Sequence, residues 1–199
     1  MKQMPQAIAS APPGAAVFAS ARQKIASSMS TARAMLLARG CEIVYCADGV
    51  NAADAQAGAQ RPVMSGAHPM VDVFFVVDNS VSVRVLRQLM ESTEAETVIL
   101  VSDDGPTPFT RRESEAAFGR RVQFFTHREV SVDVTQHVLV PPHALVTTPD
   151  EHRDASGYPR LFTSDPVARF YNFKPGDIVR IDRSRMNTTD TCYRIVCDA

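Results

Sequence analysis

Apolar positions near the start of the chain recur at helical spacing. Val17 to Arg39 contains neither Pro nor Gly, and Ile25, Met29, Met35, Leu36 and Leu37 lie mostly at helical spacing before Gly40, placed as a glycine stop. This predicts a helix over 17–39, followed by a short strand in CEIVYC (41–46). Residues 47–69 are rich in Ala and Gly without strong periodicity and read as a loop or weak helix. The runs VDVFFVV (71–77) and VILV (98–101) are almost wholly apolar, as in strands covered on both faces. Between them, Ser80 is placed to cap a helix through Val83, Leu86, Leu89 and Met90. Strand, helix, strand at this spacing is a βαβ unit. A turn at 102–108, a short helix over 110–118 and a strand at VQFF follow. Glu129 to Val140 alternates polar and apolar and predicts another strand, ended by Pro141-Pro142. Residues 148–158 read as a connection. The last block predicts a helix at Pro166–Tyr171, a turn at Lys174–Asp177, a strand IVRI, a polar turn at 184–190 and a strand CYRIV, the two strands forming a hairpin. The fold class is therefore α/β over 17–135, then a small α+β module over 136–199 with a terminal β-hairpin, after a disordered tail at 1–16.

Composition narrows the function classes. A net charge of −1 gives no global pull toward nucleic acid or an acidic membrane, so such contact must come from a local patch. Lys2, Lys24 and Lys174 are the only lysines among 21 basic residues. No run is long and apolar enough for a transmembrane helix. Cys41, Cys46, Cys192 and Cys197 form two C-x4-C pairs, wider than structural zinc pairs and without flanking His pairs, so free thiols and no metal are expected. Met1 to Cys41 lacks Asp and Glu, as a mitochondrial leader does. The helix predicted over 17–39 is the competing explanation of the same stretch.

The motifs near the C-terminus are the most specific. S-D-P-V-A-R-F-Y (164–171), K-P-G-D-I-V-R-I (174–181) and Y-R-I-V (193–196), with H-V-L-V-P-P-H (137–143) upstream and G-P-T-P (105–108) further back, resemble the RNA polymerase subunit 5 family, whose C-terminal half is shared with its archaeal H-type counterpart. They stand in the family's order, and Arg39-Gly40 resembles the end of its first helix. The resemblance implies a mixed-sheet jaw domain followed by an assembly domain, in a nuclear, non-catalytic, cofactor-free subunit of DNA-directed RNA polymerase. It would be nucleolar if dedicated to polymerase I. The assembly domain would grip the largest subunit and the jaw would lie beside downstream duplex DNA; the catalytic magnesium would belong to other subunits.

On that resemblance, subunit contacts are implied at His137, Pro141, His143, Asp165, Pro166, Arg169, Tyr193 and Arg194. Proximity to DNA is implied at Thr107, Pro108, Thr110, Arg111 and Arg112. Hydroxyls, a helix N-terminus and two arginines suit phosphate, although Asp103 and Asp104 oppose it. Asp165-Pro166 has the chemistry of a helix cap and first turn, which alone accounts for those residue types. His137 and His143 flank a Pro-Pro break with no partner acid in sequence and read as hydrogen-bonded structural histidines.

The chain also departs from the family. The stretch before Asp165 is short for the usual acidic helix, MNTTD (186–190) replaces the T-A-G turn, and Asn172 stands at a common Gly. These departures suit a paralogue dedicated to one polymerase or a homologue in a large DNA virus. A metal-dependent nuclease is disfavoured: Asp72 sits at a strand start, but no lysine lies between Lys24 and Lys174. A free-standing adaptor on the same fold is the other alternative.

Overall fold

The computed structural model describes residues 15–46, 64–67, 69–76, 80–116, 119–147, 157–183 and 190–198. Helix α1 spans Ala15–Ala38. Its end has the predicted glycine geometry: Gly40 has φ 77°, and the N–H groups of Gly40 and Cys41 return to the carbonyls of Leu37 and Leu36 at 3.0 and 2.9 Å. The expected tail at 1–16 lies outside the described residues except for Ala15 and Ala16, which are helical.

A five-stranded mixed sheet follows, ordered β1 (Glu42–Cys46), β2 (Met64–Ala67), β3 (Val71–Phe75), β4 (Thr97–Ser102) and β5 (Arg121–Thr126). β1, β2 and β3 pair antiparallel, whereas β3, β4 and β5 pair parallel. β2 corrects the reading of 47–69 as loop or weak helix, of which 47–63 and 68 are outside the described residues. Four residues carry too little periodicity to announce a strand. What makes this one is its position between β1 and β3, with Met64 buried and Gly66 against Cys41. A Cβ on Gly66 would stand 3.0 Å from that of Cys41.

Helix α2 (Val83–Ser92) crosses between the parallel strands β3 and β4, as the apolar runs predict. Its cap is Ser82, not Ser80: the Ser82 hydroxyl accepts from the Val85 N–H. Val81 is held extended by a parallel bridge to Pro106, so the helix cannot begin earlier. Helix α3 spans Pro108–Ala116. The strand residues alternate between two cores. Val71, Val73, Ile99, Val101 and Phe125 meet Ala32, Met35 and Leu36 of α1. Phe74, Val98 and Leu100 meet Leu86, Leu89 and Met90 of α2.

The strand predicted over Glu129–Val140 does not form. The chain makes turns and one 3-10 turn at Val134–Gln136. Local side chains take the backbone groups a ladder needs. Glu129 Oε2 accepts from Thr126 N–H at 2.7 Å, and Asp133 Oδ1 accepts from Thr135 N–H at 2.9 Å. The alternating apolar residues share no buried face, since Val130 is buried but Val132, Val138 and Leu139 are 65%, 86% and 67% exposed.

The second, four-stranded mixed sheet comprises β6 (His143–Leu145), β7 (Arg160–Phe162), β8 (Ile178–Asp182) and β9 (Thr191–Cys197), in the order β6-β8-β9-β7. β8 and β9 are the predicted antiparallel hairpin; β7 runs parallel to β9. Helix α4 (Pro166–Tyr171) packs Ala168 into this sheet's core with Leu161, Phe173, Val179, Ile181 and Val196. Asp165 caps α4 by accepting from Val167 and Ala168 N–H, and Asn172 ends it in the left-handed region at φ 61°. Phe170 of α4, 4% exposed, instead enters the α1 core of the first sheet.

Candidate functional site

The residues expected near DNA lie at the N-terminus of α3. Thr107 caps that helix, accepting from Thr110 N–H at 3.3 Å. The Thr110 hydroxyl is buried and donates to the Val81 carbonyl at 2.7 Å. Its one proton is thus committed, so the 2.8 Å contact between the two hydroxyls has Thr107 as donor. Both hydroxyls are occupied within the fold. Pro108, Arg111 and Arg112 are exposed, with Asp103 and Asp104 exposed on the preceding turn. Beneath α3, a cleft of about 1070 Å³ runs along β5 to Thr163 and Ser164. Arg111, Arg121 and Arg128 line it together with Asp103, Asp104 and Glu115, so neither sign of charge dominates. Arg120, also in the lining, is turned to the Met90 and Thr93 carbonyls.

The residues expected to contact another subunit fall into three groups. His137, Pro166 and Arg169 border an apolar pocket of about 280 Å³ floored by Met35, Phe125, Val130 and Phe170. His137 Nδ1 accepts from Leu139 N–H at 3.2 Å, which holds the exposed Val138-Leu139 pair in a fixed turn. His143 forms the second group with Pro141, Asp165 and Arg194. Its Nδ1 donates to the Pro141 carbonyl at 2.7 Å. Burial pushes the His143 pKa down, the Pro141 carbonyl and the Asp165 charge push it up, Arg194 lowers it again, and the net direction is down. Its imidazole is therefore neutral at pH 7. Tyr193 stands apart: it pairs with Arg180 across the hairpin, on the outward face, and stacks on Tyr158 at 5.8 Å.

Arg169 is largely engaged inside the molecule. Its guanidinium lies 4.3 Å over the Phe125 ring, donates to the Phe124 carbonyl and pairs with Glu129. Burial raises the Glu129 pKa, but the Thr126 N–H and the Arg169 charge lower it further, for a net decrease. Together the pair covers part of the outer edge of β5.

Sequence reasoning passed over Arg39, noting it only beside Gly40. This half-buried guanidinium donates to the carbonyls of Phe170 (2.9 Å) and Arg169 (2.8 Å) and to Gln123 Oε1 (2.8 Å). Gln123 in turn donates to Asn172 Oδ1 at 3.0 Å. Burial, with smaller effects from neighbouring charges, lowers the Arg39 pKa to about 10, so it remains charged at pH 7. No carboxylate faces it in these contacts; its counterpart is the carbonyl end of α4, where the C=O groups carry partial negative charge. No local pattern signals a partner 131 residues away. Among the described residues, no three His, Cys, Asp or Glu gather as a metal site, and no helix is long and apolar enough to cross a membrane.

Comparison with known proteins bears on these surfaces. Residues 132–196 match the family model described as RNA polymerase Rpb5, C-terminal domain. The chain is 31% identical over 125 residues to the DNA-directed RNA polymerases I, II, and III subunit rpabc1 of Dictyostelium discoideum, a match covering 56% of this chain and 63% of that one. It is 26% identical over 122 residues to subunit RPABC1 of Caenorhabditis briggsae, covering 56% and 58%. It is also 27% identical over 109 residues to the uncharacterized protein 028R of Frog virus 3 (isolate Goorha), covering 53% and 65%. The chain thus spans less than two thirds of the length of each of these relatives.

Proposed function

From the premise that this chain is, through residues 132–196, a divergent member of the RNA polymerase Rpb5 family, we propose that it is a structural, non-catalytic subunit of a DNA-directed RNA polymerase. Its C-terminal module, about 136–199, docks on the largest subunit. The N-terminal unit, 17–135, serves as a jaw beside downstream duplex DNA. It requires no cofactor of its own and works in the nucleus, the magnesium chemistry residing in other subunits.

The observation carrying this reading is the state of the H-V-L-V-P-P-H segment. Val138 and Leu139 are 86% and 67% exposed, yet their turn is held by His137, and the segment lies within the family match. Two neighbouring apolar side chains facing water suit a partner that desolvates them. For DNA, the exposed groups are the Arg111 and Arg112 guanidiniums on the first turns of α3; with both threonine hydroxyls committed, contact is by charge and is independent of base sequence. The similarity to a Frog virus 3 protein is compatible with a second setting for the same proposed role, that of a homologue carried by a large DNA virus.

Affinity purification of the tagged chain at moderate salt, with mass spectrometry of its partners, tests the proposal. Recovery of the two largest subunits of one polymerase is expected and names the enzyme. Recovery of all three nuclear polymerases marks a shared subunit. A chain that brings down no polymerase subunit leaves the adaptor reading in its place. For the jaw, replacing Arg111 and Arg112 by alanine is expected to leave co-purification intact. It should reduce the salt dependence of the assembly's binding to downstream duplex by about two units of log–log slope, about one for each phosphate no longer neutralised. An unchanged slope removes these arginines from the DNA path.

A further inference from the structure

Helix α4 is only six residues long, too short to be helical by its own propensity. Contacts from both sheets hold it. Toward the second sheet it buries Ala168, and the adjoining Phe173 enters the same core. Toward the first it buries Phe170 among the α1 residues. Two arginines then cross the same contact in opposite directions. Arg39, just past the end of α1, donates to two backbone carbonyls at the C-terminal end of α4 and to Gln123 of β5. Arg169, on α4, reaches back to the Phe124 carbonyl and Glu129 and covers the Phe125 ring. The Gln123–Asn172 amide pair closes the gap between them.

We propose that Arg39 is a positioning residue: with Arg169 it clasps α4 so that the two sheets keep one fixed relative orientation. A guanidinium suits the site because each of its three nitrogens, Nε, Nη1 and Nη2, meets a different acceptor, whereas a lysine ammonium would have to reach all three from one nitrogen. Phe124 packs at the margin of the core under α2 but meets the clasp only through its backbone carbonyl, the buried residues of that core take no part in the contact, and the second-sheet core contains none from the first sheet, so loosening the clasp leaves both cores in place. The functional consequence rests on the polymerase reading: the clasp sets where the α3 arginines point relative to the docked C-terminal module. The clasp itself does not depend on that reading.

The test uses the full chain, with nitroxide-bearing side chains incorporated at exposed Glu115 on α3 and exposed Arg180 on β8, and reads their distance distribution by pulsed electron resonance. The native chain is expected to give one narrow distribution. Arg39→Met is expected to broaden it at least twofold while amide exchange in β4 stays slow. Arg39→Lys keeps the charge and should broaden it less, in the same direction. Should Arg39→Met fail to fold, Arg39→Lys decides alone. A distribution as narrow as native in the folded variants overturns the proposal. So does faster amide exchange in β4 together with the broadening, because Arg39 would then contribute only to overall stability. Neither reading needs polymerase, so failure here is distinguishable from failure of the functional assignment.

Discussion

If the proposed docking holds, replacing Val138 and Leu139 together by aspartate is expected to abolish co-purification with polymerase while leaving the chain's own fold intact. Both side chains face water, so the free protein loses little packing when they are changed. In a docked state each would be worth about 1.5–3 kcal/mol of apolar burial. Aspartate adds an uncompensated charge to the interface. The combined loss of affinity should be on the order of a hundredfold or more. Co-purification with the largest subunit, measured beside the thermal melting of the free chain, checks it. An unchanged yield of polymerase would show that docking lies elsewhere, with the outward Tyr193 face as the next surface to change. A collapsed melting temperature would show that the turn held by His137 has a folding role.

Phe170→Ala is expected to cost about 3–5 kcal/mol, a large share of the roughly 5–15 kcal/mol that holds a domain together. Phe170 is 4% exposed and sits against Met35 and Leu36 of α1 and Phe125 of β5, with Tyr171 packed edge-on at 5.3 Å. The substitution opens a cavity beside the existing apolar pocket and loosens the contact that Arg39 and Arg169 flank. Urea unfolding followed by far-ultraviolet circular dichroism should show a lower midpoint. Amide exchange should accelerate in α1 as well as in α4. A loss below about 1 kcal/mol, or faster exchange confined to the second sheet, would mean that the first core does not depend on this side chain.

Several elements were legible because their causes are local. The βαβ unit follows from two apolar runs flanking a helical stripe, and the last hairpin from two short strands around a polar turn. Gly40 stops α1 and Asp165-Pro166 starts α4, each using groups within four residues of itself. The alternation in EVSVDVTQHVLV misled for a physical reason: period two makes a strand only when one face is covered and the ladder is free. Here Thr126, Glu129 and Asp133 take up local backbone groups, and Val132, Val138 and Leu139 remain in water.

For the candidate surfaces, sequence supplied residue types and tertiary structure supplied their availability. Thr110 has the right chemistry for phosphate, but its proton goes to Val81, 29 residues earlier in the chain. Arg169, expected at a subunit contact, has its guanidinium turned largely onto β5. Arg39 was marked only by its place beside Gly40, and nothing near it in sequence pointed to its partners on α4 and β5. The motif order and the resemblance they carry, the caps and the paired apolar runs belong to the sequence alone, because each depends on near neighbours or on residue identity. The three-residue strands β6 and β7, the failure of the predicted strand, the shared Phe170 core and the arginine clasp belong to the tertiary structure. A hydrogen bond or a buried face needs a partner, and there the partner lies far along the chain.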